Sequence, residues 1–474
     1  MKPVALINVV GLSASLIGDD APRLRALVER GRMTPLRPTL PAVTCSVQAS
    51  MLTGKPVREH GIVGNGWYFR ELAEVRFWNR SSRLIEAEPV WEAAKRRDAA
   101  ATCANLFWWH NTYSSADVVL NVRPMYKADG RKLPDCYSEP APLRDTLQRE
   151  LGTFPLYHFW GPRADITSSR WIVNATMRVY DEHRPTLTLV YLPHLDYALQ
   201  KFGPGHAESA AAVREIDAEV GRLLDYFDER GVTPIVVSEY GIEPVDAAVA
   251  VNRVLRDAGF LRVRIEDGRE LLDAGACEAF AVADHQVAHV YVRRPERVAK
   301  VASLCAGITG VEAVLDRDAQ RQRGIDHPRA GELVLVADRG KWFTYDYWHD
   351  DAVAPDFART VDIHRKPGYD PRELFIDPAI RHPKLAVAMK LLRSKAMNMR
   401  TLMDLIPLDT SLVKGSHGRV DVADERRPVL IAPADITMPE TDGDTLACEK
   451  VHDVVLNAMF GDATSSGDDL SVDA

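Results

Sequence analysis

Short apolar runs closed by turn residues alternate, through the first half of the chain, with segments whose apolar positions recur at helical spacing. Val4–Val9, residues 99–105, 186–191 and 233–238 read as strands, and Pro22–Arg30, residues 168–181 and 206–231 as helices. Strands that alternate with helices predict a mostly parallel sheet covered on both faces. Asp20 stands where an N-cap is expected, and Gly231 where the long helix should close. From about residue 259 the texture changes. Short strands at 280–283, Val287–Val292 and Leu333–Ala337 surround one helix at 295–306. The chain therefore divides into a core (1–259), a smaller α+β cap insertion (260–347), a completion of the core (348–461) and a polar, acidic tail (462–474) expected to be disordered. The completion opens with a proline-rich stretch, 355–383, read as an irregular loop, and continues with helices near 383–396 and 445–460.

Composition narrows the function classes. With 474 residues, 46% hydrophobic and 27% charged, the chain can bury a sizeable core. A net charge of −8 offers no long-range attraction for nucleic acid or anionic lipid, so a small-molecule substrate is expected, with neither nucleic acid nor membrane as partner. Six scattered Cys without a C-x-x-C read as reduced thiols. The first apolar run lacks the features of a secretion signal, so a cytoplasmic location is expected. Neither a phosphate-loop motif nor a dinucleotide fingerprint occurs.

The segment from Thr39 to Asn65 carries the most chemistry. Thr44 falls where a loop turns into a helix bearing Val47, Met51 and Leu52, and Gly54 closes that helix. Two readings are open. Thr44 is an ordinary N-cap hydroxyl, or it is a nucleophile in the positive field of a helix N-terminus, where an anion is favoured.

Thr44, the spacing to Thr53-Gly54 and the following His60-Gly61-Ile62 resemble the nucleophile region of the alkaline phosphatase superfamily, in particular its nucleotide pyrophosphatase/phosphodiesterase and phosphonoacetate hydrolase branches. Val10-Gly11-Leu12, Asp196 with Gly203-Pro204, Ser238-Glu239-Tyr240-Gly241-Ile242 and Gly415-Ser416-His417-Gly418 follow in the family's order. The resemblance implies an α/β alkaline phosphatase-like core, two zinc-type metals about 4 Å apart, and a Ser or Thr alkoxide attacking phosphorus in line. It places Thr44, Glu239 and Asn65 in catalytic positions, and Asp196, His417, Glu239, Gln200 and Thr44 as the metal set.

The ligands depart from the pattern. Val10 replaces an Asp, Gln200 a His, and Glu239-Tyr240 an Asp-His pair. Val donates no lone pair and neutral Tyr is a poor ligand, so an oxygen-rich site for manganese or magnesium competes with a zinc site. Tyr240, Asp362, His364, His285 and Lys341 are candidate substrate-binding residues; His194, Asp284-His285, His289, Asp326-His327, Asp362 and His364 are spare ligands, and Lys341, Arg365, Lys366 and Arg372 candidate anion grips. Each also reads as ordinary surface or core. The expected function is a divalent-metal-dependent hydrolase of a small phosphodiester, pyrophosphate or phosphonate-like substrate with Thr44 as nucleophile. The alternative is an altered, non-hydrolytic member that binds a phosphorylated or carboxylated metabolite.

Overall fold

The computed structural model describes residues 1–129, 131–397 and 401–461, and the expected tail 462–474 lies outside them. Nine strands form one sheet, in the order 446–447, 31–37, 429–433, 233–237, 4–9, 187–192, 103–106, 118–122 and 136–139. Its five central strands run parallel, with Val4–Val9 between Leu187–Leu192 and Thr233–Val237. These three are buried almost throughout, as their unbroken apolar runs require of strands covered on both faces. Antiparallel strands close both sides of the parallel block.

The helix Pro22–Arg30 has the bounds its periodicity predicts, but Ala21 is its N-cap, with no side-chain bond. Asp20 instead accepts from Arg214. The long helix spans Ala207–Asp228, and its N-cap His206 ring accepts from the Glu208 N–H. A separate four-stranded antiparallel sheet is built from Ala279–Asp284, Val287–Val292, Leu333–Ala337 and Val311–Leu315.

Chain direction sets the site. Val10, Asp196 and Glu239-Tyr240 all follow the carboxyl ends of adjacent parallel strands, the edge where open α/β sheets hold their ligands. In the smaller sheet, Asp284 pairs with Val287, so His285 and Gln286 form a two-residue hairpin turn, with His285 at φ +61°. This turn reaches the core's edge, where the Gln286 N–H donates to the His417 carbonyl (2.8 Å). Gly418 permits the approach, because a Cβ there would lie 3.0 Å from the Gln286 nitrogen.

Candidate functional site

Thr44 opens the helix Thr44–Thr53, all of whose residues are buried, and Gly54 ends it in the left-handed conformation. The N-cap is Val43, which caps with no side-chain bond, so Thr44 is the first helical residue and not the cap. The cap is supplied from elsewhere: the Asn65 side-chain carbonyl accepts the Cys45 N–H (3.0 Å). Asn65 is held in turn by Asp284, which accepts from its backbone N–H (2.8 Å) and its amide (3.1 Å).

The Thr44 hydroxyl lies 3.2 Å from the Tyr240 phenol, which donates to Asp196 Oδ1 (3.3 Å). Gln200 donates its amide to Asp196 Oδ2 (2.7 Å), and its carbonyl accepts from the Tyr369 hydroxyl (2.8 Å). Glu239 Oε1 accepts from Asn8 (2.6 Å) and Gln48 (2.5 Å), while Gln48 Oε1 takes the Trp109 N–H (2.7 Å). His417 Nδ1 donates to the Ala42 carbonyl (2.8 Å), leaving Nε2 bare and 3.9 Å from Asp196 Oδ1. Four rings stack through the centre: Tyr240 on His417 (centroids 3.5 Å apart), His417 on His285 (3.8 Å) and His285 on Tyr369 (3.6 Å). The centre is closed, with Thr44 only 3% exposed.

Burial dominates its electrostatics. Desolvation pushes Asp196 up to about 7 and Glu239 up to about 8, against the hydrogen bonds that favour their charged forms. Asp284 rises to about 6 for the same reason. Burial holds His285 and His417 well below the usual imidazole range, so both are neutral. Among the described residues no Lys or Arg pairs with Asp196, Glu239 or Asp284; the neutral His417 lies beside Asp196 and the neutral His285 beside Asp284.

The sequence candidates separate into two groups. Thr44, Asn65, Asp196, Gln200, Glu239, Tyr240, His285 and His417 converge within one hydrogen-bonded and stacked cluster. Lys341, Asp362 and His364 make their contacts elsewhere. The Lys341 ammonium turns outward to Asp246 (2.6 Å), the Asp362 N–H donates to Glu373 (2.9 Å), and His364 Nδ1 meets the Phe77 carbonyl (3.2 Å). Lys366 and Arg372 are no anion grips, because both are buried and saturated with carboxylates. Lys366 binds Asp370 (2.9 Å) and Glu373 (2.8 Å); Arg372 binds Asp346 and Asp370. Arg365 stays exposed beside Asp356. Asn8, Gln48 and Tyr369 belong to the cluster and are not among the residues the sequence singles out, whereas Asp284, a spare ligand in that reading, enters as the support of Asn65. Asn8, a polar residue within an apolar strand run, and Gln48, one helical turn after Thr44, were the available signals.

These donors do not fit a two-metal centre. Val10 offers no atom, Gln200 has committed its carbonyl to Tyr369, and Glu239 Oε1 is occupied by two amides, which leaves Glu239 only its Oε2 unpartnered. Tyr240 fills the space between Thr44 and Asp196 with a neutral phenol, whose own ionisation burial pushes further out of reach. Among the described residues no three His, Cys, Asp or Glu side chains converge as a metal site.

The sequence model of the type I phosphodiesterase/nucleotide pyrophosphatase family matches residues 4–370. The chain belongs to that family. It is 25% identical over 254 residues to an uncharacterized pyrophosphatase/phosphodiesterase of Schizosaccharomyces pombe, a match covering 51% of this chain and 45% of that protein. It is 22% identical over 277 residues to human ectonucleotide pyrophosphatase/phosphodiesterase family member 1, covering 55% of this chain and 26% of that one. The matched region thus spans less than half the length of either relative. Phosphonoacetate hydrolase from Sinorhizobium meliloti, solved with phosphonoformate, superposes with a TM-score of 0.61 at 17% identity, covering 96% of both chains. Murine ectonucleotide pyrophosphatase/phosphodiesterase 5, an inactive variant with AMP, gives 0.56 at 13% identity, covering 97% of this chain and 95% of that one. At these identities the likeness establishes the fold, the alkaline phosphatase-like core that the motif order implied.

Proposed function

We propose that this family member does not hydrolyse phosphodiesters and instead binds a small phosphorylated or carboxylated metabolite. The observation that carries the reading is the position of Tyr240, hydrogen-bonded to Thr44 on one side and Asp196 on the other. Displacement at phosphorus needs positive charge on the transferring oxygens. Here the hydroxyl is surrounded by carboxyls, neutral imidazoles and a phenol. An anionic ligand agrees with the carboxyl chemistry, because Glu239, at about 8, is mostly protonated at neutral pH and Asp196, at about 7, is partly so. Its class is also that of the phosphonates and AMP held by the two structural neighbours. Entry requires the Tyr369 loop or the His285 turn to move, since both cover the centre.

One observation favours the second reading, a metal-dependent hydrolase with Thr44 as nucleophile. His417 presents a bare Nε2 beside Asp196, the arrangement a cation would bridge. Metal analysis of protein purified without added metal, beside hydrolysis of bis-p-nitrophenyl phosphate with zinc, manganese or magnesium, separates the two. The binding reading expects no Thr44-dependent turnover and a raised unfolding temperature with phosphonoacetate or AMP. Metal retained at about two per chain, with turnover abolished by Thr44→Ala, would overturn it.

A further inference from the structure

The chain leaves the body of the protein at Asp377 and rejoins it at Leu405. The Asp377 N–H donates to the Leu405 carbonyl (2.8 Å), and beside it the Ile406 N–H donates to the Arg359 carbonyl (2.9 Å). The excursion carries the helix Pro383–Met397, on which no described side chain is buried. Leu385, Met389 and Leu392 are 59%, 60% and 62% exposed. At 100° per residue they share one arc of roughly 60°. Lys384 and Lys395 border that arc on one side and Arg393 on the other. Lys390 lies on the far side of the helix and binds within the excursion itself, to the Leu402 carbonyl (3.2 Å) and Asp404.

Two features set this arm apart. Of the large apolar side chains exposed among the described residues, six (Ile376, Leu385, Met389, Leu391, Leu392 and Leu402) lie on it or at its base. No Asp or Glu occurs between Pro378 and Met403, a stretch that holds six Lys or Arg in a chain of net charge −8. The exposed Leu385–Met389–Leu392 arc within it marks an interaction surface, and its local charge selects an anionic partner. Pairing of two such helices from two copies would set like charges together.

We propose that this arm is a membrane-surface anchor. The Leu385–Met389–Leu392 face enters the headgroup boundary of an anionic bilayer, and Lys384, Arg393 and Lys395 meet the lipid phosphates. No described helix is long and apolar enough to cross a membrane, and the arm needs only to lie on one. The test is co-sedimentation of the full chain with vesicles of phosphatidylcholine alone and with about one-third phosphatidylglycerol. Binding to the anionic vesicles is expected to be at least roughly tenfold stronger and to weaken steeply by about 0.5 M salt. The variants Leu385→Gln/Met389→Gln/Leu392→Gln and Lys384→Gln/Arg393→Gln/Lys395→Gln should each reduce it roughly tenfold or more. Both sets are exposed, and unchanged unfolding temperatures would verify that the fold is intact. No pelleting with anionic vesicles, or pelleting that both variants retain, overturns the proposal. So does a self-association that the apolar variant abolishes in protein that ignores vesicles, which would make a second copy the occupant.

Discussion

The phenol ring of Tyr240 lies flat on the imidazole of His417, 6° from parallel. Its hydroxyl faces Thr44 and Asp196 at the same time. One side chain thus joins the strand-end loop 238–241 to the only His that the family's metal motif retains in this chain. It holds the centre together by packing and hydrogen bonding, where the family pattern calls for a metal ligand.

Removing that hydroxyl tests the junction. Tyr240→Phe keeps the ring on His417 but leaves Thr44 Oγ1 and Asp196 Oδ1 each short of a buried partner. The expected loss is about 1–3 kcal/mol, read from urea unfolding. Tyr240→Ala empties the stack as well and should cost about 3–5 kcal/mol.

Stability should fall with rising pH because of the buried carboxyls. Glu239, raised to about 8 in the folded protein, binds more protons there than in the unfolded chain across the interval between its ordinary carboxylate value and about 8. Over that interval each rise in pH favours unfolding. Glu239→Gln retains an oxygen that can accept from Asn8 and Gln48 and does not titrate. Melting temperatures measured from about pH 5 to about pH 9 should decline more steeply for the native chain than for the variant. Parallel curves would contradict the assignment.

Restoring the family's donors should restore metal. Val10→Asp, Gln200→His and Tyr240→His together return two imidazoles and a carboxylate to the strand ends beside Asp196, Glu239 and His417. Zinc bound after dialysis should rise above that of the native chain, and any hydrolysis gained should vanish with Thr44→Ala. A restored chain that takes up no more zinc would place the obstacle in the backbone.

The buried guanidinium of Arg372 should be intolerant of change. It makes two bonds to Asp346 (2.9 and 2.7 Å), one to Asp370 (2.7 Å) and one to the Leu408 carbonyl (3.0 Å). Arg372→Ala strands the buried Asp346 carboxylate and leaves Asp370 to Lys366 alone, for an expected loss of about 3–5 kcal/mol in denaturant unfolding. Arg372→Lys should recover only part of it, since a point charge cannot reproduce the fork.

Periodicity made the framework readable because strands buried on both faces, parallel or antiparallel, are nearly unbroken apolar runs; Val4–Val9, Val287–Val292 and Leu333–Ala337 carry the bounds their patterns predict. Thr44, Asp196, Glu239 and His417 were legible as motifs whose order matched a known fold. What escaped depends on side chains that meet across long sequence separations. Nothing local marks Tyr369 as the partner of Gln200, or Asp284 as the support of Asn65. Lys366 and Arg372 resemble surface cations until the carboxylates that enclose them are seen, and Asp346 stands 26 residues from Arg372. Asp20 has the right identity for a cap and the wrong direction, drawn instead to Arg214.

The stack of four rings also bears on the order of assembly. Tyr240 comes from the middle of the chain, whereas Tyr369 and His417 come from its last quarter. Until those late segments are made, Asp196 and Glu239 stand in water and remain ionised. Their closure around the centre removes that water and draws protons from neutral solution. Closing the centre is therefore linked to proton uptake, and becomes less favourable as the medium becomes more alkaline.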